Sequence, residues 1–202
     1  MAKADWVKVN PASGSGNATV NVSSNAPHTG RNARTSILTW KAANVADITR
    51  TVNQAGKPAF VDIADSASAD KAGKAVTISG TSNAAKLTFS FGTGDLTEIT
   101  LPTTYKANTV TTNNGATISG DPGAKAEYPF EITIVVPANT STGAKTRQII
   151  VTDEGGHQDV CTLTSAAGEA YVTVQEGTIE LTWEGTTPVA VAVQSNTNWT
   201  VE

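Results

Sequence analysis

The densest cluster of groups able to do chemistry in this chain is DEGGHQD, residues 153 to 159. Asp153, Glu154, His157 and Asp159 are the residue types that bind a metal or share a proton. Such work needs burial or a charged neighbour to shift a proton affinity. Gly155-Gly156 between two apolar alternating stretches reads instead as a solvated hairpin tip. His28 stands alone in the loop NAPHTGR. The single cysteine, Cys161, falls on one strand face with Leu163, the setting of a buried thiol rather than a nucleophile, and excludes an intrachain disulfide. The chain has no GxSxG, HExxH, CxxC or Walker-type loop, and GDPGA (120–124) is a Pro-Gly turn with no helix after it. The expectation is a non-enzymatic protein with no catalytic residue, cofactor or metal site.

The remaining candidates bind rather than react. Sugar-binding modules stack pyranose faces on exposed aromatics, so Trp6, Trp40, Trp183 and Trp199 form the available platform, with Tyr105 and Tyr128 secondary. Trp40, flanking a hairpin, is the candidate glycan contact. Against that role, aromatic residues make up only 5 % of the chain. Asn17, Asn21, Asn139 and Asn198 each open an N-x-[ST] triplet, which a Thr-rich chain produces by chance. Charged residues are 16 % and the formal net charge is −4, with no Lys/Arg stripe, so no nucleic-acid partner is expected. No apolar run approaches membrane-spanning length, and MAKADWVKV is not a secretory leader. A chain starting there is expected to stay in the cytoplasm that makes it, or to leave inside a particle.

The elements that must position these residues are strands. Thr, Val, Ala, Gly and Asn dominate, apolar runs are short and alternating, and turns such as GSGN, DPGA and EGGH punctuate them. The pattern predicts strands at 6–10, 18–22, 35–41 and 46–52. Further strands follow at 60–63, 75–79, 86–91, 118–120, 130–136, 147–152 and 158–164. The last four are 170–174, 178–183, 189–194 and 199–201. Short strands at this spacing predict an all-β fold of immunoglobulin-like sandwiches.

The chain also repeats itself at a near-constant offset, which carries Arg34 to Arg147, Ile37 to Ile150 and Asn83 to Asn196. SSNAPHTGRNARTSILT (23–39) matches PANTSTGAKTRQIIVT (137–152), and AVTISGTSNAAKLT (75–88) matches PVAVAVQSNTNWTV (188–201). Residues 58–175 hold both blocks and make one complete unit. Residues 1–57 hold only the later half of a unit, and residues 176–202 only the earlier half.

Reading the end of the chain into its beginning gives TWEGTTPVAVAVQSNTNWTVE, then DWVKVNPASGSGNATVNVSSN…GRNARTSILTW…ITRTVNQAG. This order resembles a BACON domain, an immunoglobulin-like module of gut Bacteroidetes and of the crAss-like bacteriophages that infect them. The resemblance lies in Asn196, Trp199 and Val201, in Trp6, Val9, Pro11, Ser13, Gly14 and Gly16, and in Asn25, Arg34, Ile37, Val52, Gln54 and Gly56. The central unit departs from it: Lys86 replaces the Trp, Ala166 the Gln, and residues 89–117 are inserted. The resemblance implies core positions for Trp6 and Trp199. It also implies one of two settings: a phage virion, as an auxiliary or decoration protein of the capsid, or a secreted or surface carbohydrate- or mucin-binding module.

Half a sandwich exposes an apolar face and unpaired strand edges, so each terminal piece needs a complement. Trp6, Val9, Val191, Trp199 and Val201 are the expected pairing residues. The complement is the opposite end of the same chain, the opposite end of a neighbouring copy, or a flanking unit of a longer array. Linkers of a few residues reach about 14 Å, which favours the neighbouring copy. Intrachain closure needs the run ADSASADKAGK (64–74) to act as slack. The expected partners are therefore other copies of the chain or capsid proteins, with glycans as the alternative.

Overall fold

A computed structural model describes residues 2–202. Strand β1 (Val7–Asn10) pairs antiparallel with β2 (Asn21–Ser24), and β3 (Arg34–Ala42) with β4 (Val45–Gln54). The middle of the chain adds β5 (Val61–Ile63), β6 (Ser66–Ala69), β7 (Lys74–Ser82), β8 (Leu87–Gly94), β9 (Thr104–Ala107) and β10 (Val110–Asn113). After a 3-10 turn at Pro122–Ala124 come β11 (Tyr128–Val136), β12 (Lys145–Asp153) and β13 (Gln158–Ser165). A short antiparallel pair, β14 (Val172–Val174) and β15 (Val193–Ser195), follows.

The central strands form two sheets, ordered β10-β9-β11-β7-β5 and β6-β13-β12-β8. YPFEITIVV of β11 shows why they pack. Its alternate residues Tyr128, Phe130, Ile132, Ile134 and Val136 are buried, and every second residue is not. With period-2 side-chain alternation, that puts one continuous apolar face toward the other sheet. Ile149 and Val151 of β12 and Cys161 and Leu163 of β13 answer it from across the core. The result is an all-β, two-sheet sandwich.

The structure corrects several expectations. The run 64–74 is not slack: its alternating Ala and Ser form β6, which pairs parallel with β13, and Ala69 is buried. The 89–117 stretch is not a bare insertion, because β8 runs on to Gly94 and the hairpin β9–β10 turns through Asn108 at φ 58°. No strand forms at 118–120: Ile118 is fully buried, but its N–H donates to Ala85 O, outside any ladder, and an isolated bridge joins Lys86 to Thr117. At the other end, 178–183 and 199–201 form no strand, and 189–194 contributes only its last two residues to β15. These segments hold apolar alternation without a strand beside them to complete a ladder. Residues 172–174 pair antiparallel with β15.

The buried thiol has a measurable consequence. Cys161 is fully buried, and desolvation, followed by the nearby Asp65 and Asp159 carboxylates, pushes its pKa up to about 11. The folded state therefore holds the thiol proton more tightly than the unfolded chain. Its contribution is complete below the ordinary thiol value and is lost as pH rises from there through about 11. Cys161→Ala is expected to remove that part of the alkaline fall in stability seen in denaturant titrations between pH 8 and 11. In the wild type, a thiol reagent should react only as fast as the chain unfolds.

Candidate assembly interface

The acidic and histidine groups of the 153–159 turn all bond other groups of the fold. Asp153 is buried and closes the β12–β13 turn by accepting from Gly155 N (2.8 Å), His157 N (2.9 Å) and His157 Nδ1 (2.7 Å). Glu154 accepts from Ala85 N at 2.9 Å and Lys86 N at 3.2 Å, joining the hairpin to the start of β8. Asp159 accepts from Ile63 N at 2.7 Å. Each carboxylate thus bonds a different set of backbone N–H groups. Among the described residues, no group of three or more His, Cys, Asp or Glu side chains is arranged to hold a metal ion. Tyr128, which donates to Ala84 O at 2.9 Å, has its phenol pKa raised by burial, as does Tyr105.

What the structure does gather is exposed apolar surface, and apart from Val135 and Val160 on the central sheets it lies toward the chain ends. Among the described residues, no ladder joins 2–57 to 176–202. Val22, Ile37, Trp40, Val45 and Ile48 are exposed at one end, and Val172, Val174, Ile179, Leu181, Trp183, Val189, Trp199 and Val201 at the other. The candidate pairing residues sit at both ends. Trp6 is half-buried under the Arg34 guanidinium, 4.5 Å from its ring centroid. Val9 and Val191 are half-buried, while Trp199 and Val201 are exposed. Within one chain the structure does not bring the two groups together, and neither Trp6 nor Trp199 occupies a closed core.

Trp40 lies directly opposite Ile48 in the β3–β4 register. Cross-strand partners share a face, and alternation puts Trp40 on the same face as Ser36 and Leu38, which are buried. It is the outer end of a half-covered apolar face rather than an isolated surface aromatic. Trp183, at 94 % exposure, is the more open indole.

Each terminal segment is held to the central unit by a buried or half-buried asparagine that sequence reasoning placed only as a repeat marker. Asn83 is fully buried; its Nδ2 donates to Thr29 O, Lys57 O and Pro58 O, each at 3.2 Å, and its Oδ1 accepts from Phe60 N at 3.0 Å. Asn196, its counterpart one repeat later, has the same arrangement. Its Nδ2 donates to Thr140 O and Glu169 O at 2.8 Å, and its Oδ1 accepts from Tyr171 N at 3.0 Å. The preceding serines match too: Ser82 Oγ donates to Phe60 O at 2.7 Å and Ser195 Oγ to Tyr171 O at 2.9 Å. So do the flanking strand pairs, Val61 opposite Ser82 and Val172 opposite Ser195. Close backbone approach recurs as well. A Cβ on Gly56 would meet Arg31 O at 1.9 Å, and one on Gly168 would meet Asn139 O at 2.5 Å.

The first junction carries more charge than the second. Arg31 reaches from the N-terminal segment to Asn83 O (2.7 Å) and Asp121 Oδ2 (2.6 Å), and Lys57 pairs with Glu127 at 3.3 Å. Across the second, Lys71 pairs with Glu169, which lowers the Glu169 pKa. Compared with known proteins, the chain matches no family model and no curated sequence.

Proposed function

We infer that this protein is a non-enzymatic structural subunit of a bacteriophage virion, an auxiliary or decoration protein of the capsid surface built from immunoglobulin-like, BACON-type units. The observation that carries the reading is the pair of exposed apolar faces on the terminal segments, which no described part of the same chain covers. Apolar surface of that extent marks an interaction site. A shell, where neighbours are always present, suits it. The structural use of Asp153, Glu154, Asp159 and His157 supports the non-catalytic part of the reading. The phage setting follows from the family resemblance and from nothing physical.

The test is direct. Particles purified from a phage carrying this sequence should contain the chain in stoichiometric amounts by peptide mass spectrometry, and an antibody against it should label their surface. Recovery only from the host cell surface would favour a second reading, a carbohydrate- or mucin-binding module. That reading rests on Trp183 and Trp40, two of the three exposed indoles. It expects glycan-array binding that Trp183→Ala or Trp40→Ala abolishes.

A further inference from the structure

The two junctions supply a template for what completes the terminal segments. The same Asn–backbone bonds, the same Ser–backbone bond and the same strand pair recur one repeat apart along the chain. The C-terminal segment therefore sits on the central unit as the central unit sits on the N-terminal segment. The chain leaves each unit for the next through such a junction, and no ladder joins the two half units of one molecule among the described residues.

We propose that the chain assembles head to tail: residues 172–202 of one copy complete the half unit 2–57 of a second copy, in the register already present inside the central unit. This rests on the reading of the protein as an assembling subunit, but not on where the assembly is found.

The central unit supplies the register. In it Ile132 of β11 lies opposite Ile78 of β7, and Ile134 opposite Val76. Setting the alternation of ATVNV (18–22) on that of FEITI (130–134) turns those pairs into Val20 opposite Val191 and Val22 opposite Val189 of the second copy, apolar against apolar. The exposures agree. Val76 is 7 % exposed and Val189 46 %; Ile63 is 1 % exposed and its counterpart Val174 53 %. Each C-terminal residue is a core residue whose opposing sheet is absent. Trp199 and Val201 alternate after Asn196 as the buried Leu87 and Phe89 do after Asn83, on a path one residue shorter. That path leads to the edge of β3 not taken by β4, as β8 lies against β12. A contact between different surfaces, repeated with a translation, extends as an open filament or closes as a ring. Main-chain ladder bonds and a shared core supply the affinity.

The experiment uses the full chain with Val20→Cys and Val191→Cys together, and the wild type beside it. Mild oxidation of the double variant is expected to give a ladder of disulfide-linked dimers, trimers and higher multiples on a non-reducing gel, collapsed by reductant. Each single variant should give none of the species above dimer. The wild-type mass by sedimentation should rise with concentration, and Val191→Asp should return it to the monomer while near-UV spectra report an intact central core. An intramolecular disulfide in the double variant would overturn the proposal, since the ends would then close within one chain. So would a wild type that stays monomeric at every concentration, whatever the variants do. Failure of the virion reading would appear in the particle analysis and leave these masses unchanged.

Discussion

Asn83→Ala is expected to lower the unfolding free energy by about 2–4 kcal/mol, while the same change at Asn196 costs about 1 kcal/mol or less. Both amides make the same kind of bonds, Asn83 one more than Asn196, and they differ in burial. At Asn83 the amide is fully buried and bonds three carbonyls and one N–H. Removing it leaves several part-buried backbone groups without their partner, at about 1–3 kcal/mol for each group left unpaired, with some relieved by relaxation. Asn196 is only half-buried and its bonded carbonyls lie on exposed segments, so water takes over the lost bonds. Denaturant unfolding of the two variants against the wild type measures the contrast. Hydrogen exchange locates it: Asn83→Ala should raise exchange at Phe60 and along β5. Asn196→Ala should raise it at Tyr171 and leave β7 and β11 protected. Equal losses at the two sites would mean that the asparagines are not the junction anchors their bonding implies.

That pair of residues also measures how far the sequence is legible. The Ser-Asn dipeptide at 82–83 recurs at the equivalent repeat position, 195–196, but a repeat marks equivalence and not purpose. Only the partners, backbone groups on segments distant in the chain, make it an anchor. The sandwich strands are legible where large apolar residues alternate, as in β11, because contrast between neighbours is the signal. In β6 the contrast is between Ala and Ser, too small to register, although Ala69 is buried as deeply as the core valines. For β9 the alternating Tyr105 and Ala107 and a turn-forming Asn108 are present but lie inside a stretch that reads as an insertion. At the C-terminal end the mismatch runs the other way. Val189, Val191, Trp199 and Val201 have the alternation of strands, but a strand needs a neighbour to bond, and within one chain most of that segment has none.

Phe130→Ala is expected to be the most damaging single change in the central unit, at about 3–5 kcal/mol, the usual cost of emptying a buried phenylalanine site. Phe130 is 2 % exposed, and its ring meets Phe89 edge-on at 5.8 Å, while Phe89 in turn packs on Tyr105 at 5.1 Å. The site cannot collapse easily, since β11 is bonded on both sides, to β7 and β9. Gly80, beside it on β7, makes the point from the other direction. A Cβ there would fall 2.4 Å from Phe130 Cζ and 2.3 Å from Asp62 O. Gly80→Ala is therefore destabilising by overpacking, about 1–3 kcal/mol. Trimming the ring with Phe130→Leu relieves only one of the two clashes, because the Asp62 carbonyl is backbone held by the β5–β7 ladder. The double variant should remain well below Phe130→Leu alone in thermal unfolding. Full rescue of Gly80→Ala by Phe130→Leu would show that β5 yields. In that case the β5–β7 pair, the strand pair that recurs in the second junction as β14–β15, is a soft edge rather than a fixed part of the unit that sets the step from one copy to the next.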